Sequence, residues 1–260
     1  SWEVGNVAKL PCETSMLEST ELRSEAKEIA GTLIAERQTE FRSPYYAGPV
    51  LLQQIGRQES LPTHDNHEHR TLTDELPIPK PENTLDTSAT LRQLGTAVAR
   101  RQARMINRKT NCAGVIDQTV FDRFDLSENE QETVLQEIAL RTNEDPRKHE
   151  APDFHSINDP SDNFAEQIKD LILHFVLKIV TKDDHDIIAL SSVRDKDSLL
   201  GYLKAEFNRV WGSHADDRLA EVDELLGSQS AAEEAYPNLR KWLEEDLFEY
   251  HVSKFDRTPI

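Results

Sequence analysis

From Phe164 onward, apolar side chains return at one helical rhythm: Phe164, Ile168, Leu171, Ile172, Phe175 and Ile179. Offsets of 4, 7, 8, 11 and 15 place all six on one stripe of an α-helix, whereas a strand would alternate with a period of two. A stripe this long must bury itself against other helices. Only nine glycines occur in 260 residues, which leaves little material for tight turns. A mainly α protein is predicted: a helical bundle with a long antiparallel, spacer-like helix pair and little strand near the N-terminus.

The rest of the chain divides around that helix. Residues 1–12 read as a short strand and turn. Thr14 to Glu40 reads as a helix with Leu22, Ala26, Ile29, Leu33 and Ile34 as its buried stripe. The run Ser43-Pro44-Tyr45-Tyr46-Ala47-Gly48-Pro49 ends it. Residues 57–86 are polar and proline-bearing and read as a linker. A long helix over about 87 to 124 carries Leu91, Leu94, Val98 and Met105 on one side, with Ile116, Val120 and Phe124 extending the line and Gly114 as its weak point. Ser127 followed by Glu130 reads as a capping box that starts a second helix, running to about Thr142. A second proline-bearing linker follows, and Asp162 or Asn163 can cap the Phe164 helix. Ile187 to Leu190 reads as a short strand, and residues 196–211 and 215–226 as two helices. Leu239, Trp242, Leu243, Leu247 and Tyr250 predict one terminal amphipathic helix, its stripe widened by Phe248 and Phe255.

The formal net charge is -18. An acidic surface of that size repels DNA and anionic membranes. It suits either basic partners or a halophile-like habit, and the spread of acids through most helices favours the second. Cys12 and Cys112 stand far apart with no C-x-x-C, which favours a reducing, cytoplasmic compartment over a disulfide framework. The most apolar run, Leu171 to Val180, is short and holds His174 and Lys178, so no membrane span is predicted.

Against that acidity, Thr87 to Ile116 contains no acid but holds Arg92, Arg100, Arg101, Arg104, Arg108 and Lys109. Arg101, Arg104 and Arg108 share one helical face, and Arg100 flanks it. Guanidinium groups grip phosphate oxygens in pairs, so Arg100, Arg101, Arg104, Arg108 and Lys109 are candidate contacts to a DNA backbone. If all six cations met phosphates, log affinity would fall against log salt with a slope of about -5. Equally, the same side chains can pair with the acidic helices of their own chain. Such contacts would position a duplex without reading its bases.

Other motifs have plainer readings. His64-Asp65-Asn66-His67-Glu68-His69 holds zinc-ligand residue types, but at no zinc-binding spacing. Glu25-Ala26-Lys27 has the E-x-K form of some nucleases yet lies within a helix, as a solvated face would. Asn158-Asp159-Pro160-Ser161 reads as a turn. His251 reads as a packed, hydrogen-bonded histidine. No catalytic, cofactor-binding or metal-binding residue is assigned.

The ends of the chain resemble a known family. The pattern Trp242, Leu243, Phe248, His251, Phe255, Pro259, Ile260 resembles the closing segment of large adenine-specific DNA methyltransferases: the type IIG restriction-modification enzymes and, closer, the BREX-type phage-defence methyltransferases known as PglX. Leu247 stands where that pattern usually has a first Phe. Ser1 to Val7 with Leu10-Pro11 resembles the phrase closing part of their target-recognition region, and Val120 to Glu128 matches more loosely. The resemblance implies a parent enzyme that transfers a methyl group from S-adenosylmethionine to adenine N6 in restriction-modification or phage defence. Its implied partners are double-stranded DNA, a missing N-terminal methyltransferase domain and other phage-defence proteins. The family's glycine-bearing cofactor loop and its [DNS]-P-P-[YFW] segment, which holds the flipped adenine, have no counterpart here. This span is therefore expected to be an excised, non-catalytic rear portion. Residues 1–56 would end the target-recognition segment and connect it onward. Residues 57–86 would be a linker, 87–145 the helical spacer pair, 146–162 a second linker and 163–260 a C-terminal helical domain. Two other readings stand: a helical protein-protein interaction module with no enzymatic role, and a stand-alone DNA-binding regulator.

Overall fold

The computed structural model describes residues 18–61, 76–81, 84–142, 152–182, 188–190, 195–228 and 235–255. These residues are mainly helical, and no strand occurs among them. In chain order the helices are α1 (Thr20–Arg37), α2 (Val50–Gln53), α3 (Leu91–Arg123), α4 (Glu128–Thr142), α5 (Phe164–Lys182), α6 (Leu199–Trp211), α7 (Ala215–Leu226), α8 (Pro237–Glu245) and α9 (Leu247–Lys254). The expected strand and turn at residues 1–12 lie outside the described residues.

The chain forms two compact units, each assembled from separated segments. The first comprises the described parts of Ser1–Leu33, Leu72–Pro79 and Arg104–Pro152, and the second those of Ile34–Thr71, Lys80–Ala103 and Asp153–Ile260. Two of the boundaries fall inside helices, one in α1 and one in α3.

In the first unit, α1 begins later and ends earlier than its sequence suggests, and it buries a different face. Leu33 is 48% exposed and Ala26 lies open, while Gly31 and Thr32 are buried. The reason is a close backbone approach: a Cβ on Gly31 would lie 2.6 Å from the Pro77 carbonyl oxygen. Met105, Cys112 and Phe121 are this unit's buried apolar side chains among the described residues. Ile106, Val115, Phe124, Val134, Ile138 and Leu140 are exposed. Phe124 therefore does not extend the α3 stripe, because the helix has ended at Arg123. Gly114 sits in the helix with open space around it.

The turn from α3 to α4 is built as a helix stop. Leu126 N–H donates to Phe121 O (3.1 Å), and Asp125 N–H donates to Asp122 O (3.2 Å). Asp125 takes φ 51° between them, which makes a Schellman motif with an aspartate where glycine is usual. The next helix starts as expected: the Glu130 carboxylate accepts from Ser127 N–H (2.9 Å) and Ser127 Oγ (2.6 Å), holding its pKa below the usual value. Asp125→Gly is expected to stabilise the protein by about 0.5–1 kcal/mol, because glycine relieves the left-handed strain. Urea unfolding checks this, and a destabilised variant would refute it.

The second unit holds the core. α5 is buried almost all round: Leu173, His174, Val176 and Leu177 join the predicted stripe. It packs on α2, α6 and α7, while α6 packs on α7, α7 on α8 and α8 on α9. Phe175, Phe207 and Trp211 meet at its centre. The first part of α3 adds Leu91, Leu94 and Val98 to the same core, as its spacing predicts.

Acids of α7 serve as caps for other helices. Glu221 Oε2 accepts from Leu91 N–H at the start of α3 (2.6 Å), and its Oε1 pairs with Arg218 (2.8 Å), which donates to Ala89 O (3.0 Å). Asp223 accepts from Leu239 N–H (2.8 Å) and Asn238 Nδ2 (3.0 Å) at the start of α8. Each carboxylate satisfies donors a helix start leaves open and sits at the positive end of its dipole. Part of the chain's acidity is thus structural.

Three further expectations change here. Leu61 is buried and Leu85 packs on the core, so both ends of the 57–86 stretch belong to the folded unit. Residues 188–190 are irregular, because the Ala189 carbonyl caps Leu199 N–H (2.9 Å) instead of joining a ladder. The terminal helix is two, kinked at Asp246, although Asp246 N–H still donates to Trp242 O and Tyr250 N–H to Asp246 O. Phe248 is 75% exposed and does not widen the stripe, since nine residues at helical spacing put it on the face opposite Leu239, while Leu239, Trp242 and Leu243 stay buried.

Candidate functional site

The segment after α1 folds back over α5 and creates the second unit's polar interior. Phe41 and Tyr46 stack (5.0 Å), and with Leu61, Leu173 and Leu177 they form a small second core, closed by Phe255. Tyr46 brings its hydroxyl to His174 Nδ1 (2.9 Å). Both residues are inaccessible to solvent.

Around them lies a compact ionic network. Glu59 Oε2 accepts from Lys178 (2.7 Å) and from Arg209 (2.6 Å), and Glu206 Oε2 accepts from the same two side chains (3.1 and 2.8 Å). His174 Nε2 stands 3.9 Å from Glu59 Oε2, beyond hydrogen-bond reach, and has no hydrogen-bond partner. Burial pushes the Glu59 pKa up, but the His174, Lys178 and Arg209 side chains more than reverse that and hold it well below the ordinary range. Burial pushes the His174 pKa down, against the pull of Glu59. Burial pushes the Tyr46 hydroxyl far up. A Tyr-His-Glu series has the residue types of a proton relay, but no substrate reaches side chains this deep. Its role is to tie the 41–61 segment to α5 and α6.

On the outer side of the same segment is a cleft of about 820 Å³. Arg37, residues 39–45, one face of α5 with the Asn163 before it, and the end of α9 line it. Its floor is the Lys254 ammonium, shared by Glu166 Oε1 (2.7 Å) and Asp170 Oδ1 (3.0 Å), with Tyr250 OH donating to Asp170 (2.7 Å). Burial raises the Asp170 pKa, against the pull of Tyr250 and Lys254. The cleft's charges are balanced between Arg37, Arg42 and Lys254 and Glu40, Glu166 and Asp170, so it has no strong preference for ions of either sign.

The basic residues of α3 take several roles. Arg101 is buried and donates to Gln53 Oε1 (2.8 Å), whose own amide donates to Gly48 O (3.1 Å). Arg100 Nε donates to Ile157 O (2.7 Å), and Arg92 pairs with Asp159 (3.1 Å). Asn158 to Ser161 thus form an irregular strip along the start of α3. In the first unit, Arg108 pairs with Glu28, while Arg104 and Lys109 are partly exposed. Cys112 lies beside Glu25, and burial raises its thiol pKa to about 11. The E-x-K string therefore sits against a buried thiol.

His251 stacks on Phe255 (4.9 Å), but its Nε2 has no hydrogen-bond partner, so it is packed without the expected ring bond. The His64–His69 cluster lies outside the described residues, and no metal-binding group occurs among those described. No helix there is long and apolar enough to cross a membrane.

Sequence reasoning missed Tyr46, Glu59, Lys178, Glu206 and Arg209. One signal was present: His174 and Lys178 interrupt the most apolar run, and polar groups on a buried helix need partners. No family model, curated protein or solved structure matches the chain.

Proposed function

We propose that this chain is the non-catalytic, C-terminal DNA-recognition and scaffold portion of a site-specific adenine-N6 DNA methyltransferase acting in phage defence or restriction-modification. The parent enzyme would bind S-adenosylmethionine; this span would not. One observation carries the reading: the ordered match of the terminal motif, of which Trp242, Leu243 and Phe255 have a structural job. Trp242 and Leu243 are buried in the main core, and Phe255 stacks on His251 and closes on Phe41. A segment that seals a helical body suits a rear scaffold.

The first unit's partly exposed cations Arg104, Arg108 and Lys109 would meet phosphates, and Arg100, whose guanidinium donates to Ile157 O, is set aside. Arg101 is set aside, since its guanidinium is committed to Gln53. Gel shifts of duplex DNA across salt concentrations test this. Three phosphate contacts give a slope of about -2.7, and changing Arg104, Arg108 and Lys109 to glutamine removes it. No binding at low salt would refute DNA contact, and stoichiometric S-adenosylmethionine binding in a calorimetric titration would refute the non-catalytic assignment. The second reading, a helical interaction module, draws on the first unit's exposed apolar side chains, Ile106, Val134, Ile138 and Leu140 among them.

A further inference from the structure

We propose that the Tyr46–His174 contact is a proton-operated latch, which holds the segment forming one wall of the cleft and lets it open as pH falls below neutrality. The segment from Thr39 to Tyr45 lines the cleft. Its next residue, Tyr46, points the other way and bonds to His174 Nδ1 (2.9 Å). The wall and the imidazole are thus linked through a single side chain.

In the tautomer the latch requires, the neutral imidazole carries its proton on Nε2, on the side of Glu59, and accepts the Tyr46 O–H at Nδ1. A second proton must go to Nδ1. That turns the acceptor into a donor, and the Tyr46 hydroxyl can no longer donate to it. The new charge is also poorly received. Lys178 on α5 and Arg209 on α6 are cations in the same network, and Asp170 acts on Tyr46 from further along α5. Glu59 attracts the imidazolium from 3.9 Å, but its carboxylate is already shared by Lys178 and Arg209, and Glu206 is shared by the same pair. With two acids balanced by two bases, protonating His174 leaves one uncompensated buried charge. Moving Tyr46 away opens a path for water to the ring.

The sign follows from linkage. Burial lowers the folded-state pKa of His174 below its ordinary 6.5, so the open state binds the proton more readily. The latch holds fully above that value and weakens as pH falls below it, until the closed-state pKa is passed. Opening rises by up to about tenfold for each pH unit in that window.

Hydrogen exchange read by mass spectrometry between pH 7.5 and 5, corrected for the intrinsic pH dependence of exchange, tests the latch on the whole chain. The reporting amides are Tyr46, Ala47 and Glu59, which donate to Ser43, Gln38 and Ala47 carbonyls. Amides of Leu203 and Val222, deep in the core, report global opening. The expected result is a loss of protection at the first set below pH 6.5 while the second set holds. In His174→Gln that pH dependence disappears, and in Tyr46→Phe the segment is already open at pH 7.5. Parallel loss at both sets, or an unchanged pH response in His174→Gln, overturns the proposal. Should His174→Gln fail to fold, the His174 ring titration in the unaltered protein decides: segment shifts that do not track the ring's own midpoint also overturn it.

Discussion

Phe175→Ala is expected to lower the unfolding free energy by about 4 kcal/mol, out of a typical total of about 5–15 kcal/mol. Phe175 is wholly buried on α5. Its ring meets Phe207 edge-on at 5.4 Å and Trp211 nearly perpendicular at 6.3 Å, and those two lie 4.8 Å apart on α6. Truncation removes the transfer free energy of the ring and leaves a cavity walled by two aromatics. Those walls cannot readily close in. Trp211 and Phe207 are fixed on one helix that also packs on α7, and α5 is hemmed on nearly every side. Loss of the edge-to-face geometry adds about 0.5–1.5 kcal/mol per pair. Phe175→Leu keeps most of the volume and should cost less than about 1.5 kcal/mol. Urea unfolding followed by the fluorescence of Trp211 and Trp242 measures both. A drop below about 1 kcal/mol for the alanine variant would mean the three rings do not form the centre of the core.

What could be read from the sequence depended on how the information is stored. The α5 stripe and the first half of α3 were legible because large apolar side chains at fixed spacing have few other uses. The α4 start was legible because Ser127 and Glu130 interact locally, three residues apart. The α1 packing face was not, since it rests on Gly31 and Thr32. Small residues mark a close approach of backbone, and hydropathy gives them no weight. The basic face of α3 was visible, but not the fate of each cation. Arg101 finds Gln53 and Arg108 finds Glu28 across long stretches of chain, and nothing near either residue names its partner. The cleft and the ionic network were hidden for the same reason. Glu59 lies in a polar stretch that reads as a linker, yet it completes a network whose other members sit on α5 and α6.

That network supplies the second large effect. Glu59→Ala is expected to destabilise the protein by about 3 kcal/mol. Glu59 and Lys178 side chains are each only 12% exposed. With Glu59 gone, Glu206 must serve both Lys178 and Arg209, and one largely buried cation goes uncompensated. The charge count gives a sharper test than the single variant. Glu59→Leu combined with Lys178→Met removes one charge of each sign and leaves Arg209 paired with Glu206 (2.8 Å). The double variant should therefore recover to within about 1 kcal/mol of the parent. Failure to recover would show that the shape of the Glu59 contact, not its charge, holds the segment. The pH response separates this group from the histidine. The Glu59 carboxylate is held below its ordinary 4.5, so its contribution is complete above that pH and declines as pH falls through its folded-state value. The stability difference between the parent and Glu59→Gln should accordingly stay level between pH 6 and 8 and shrink only below about pH 4.5. A difference already shrinking at pH 6 would place the titrating group elsewhere.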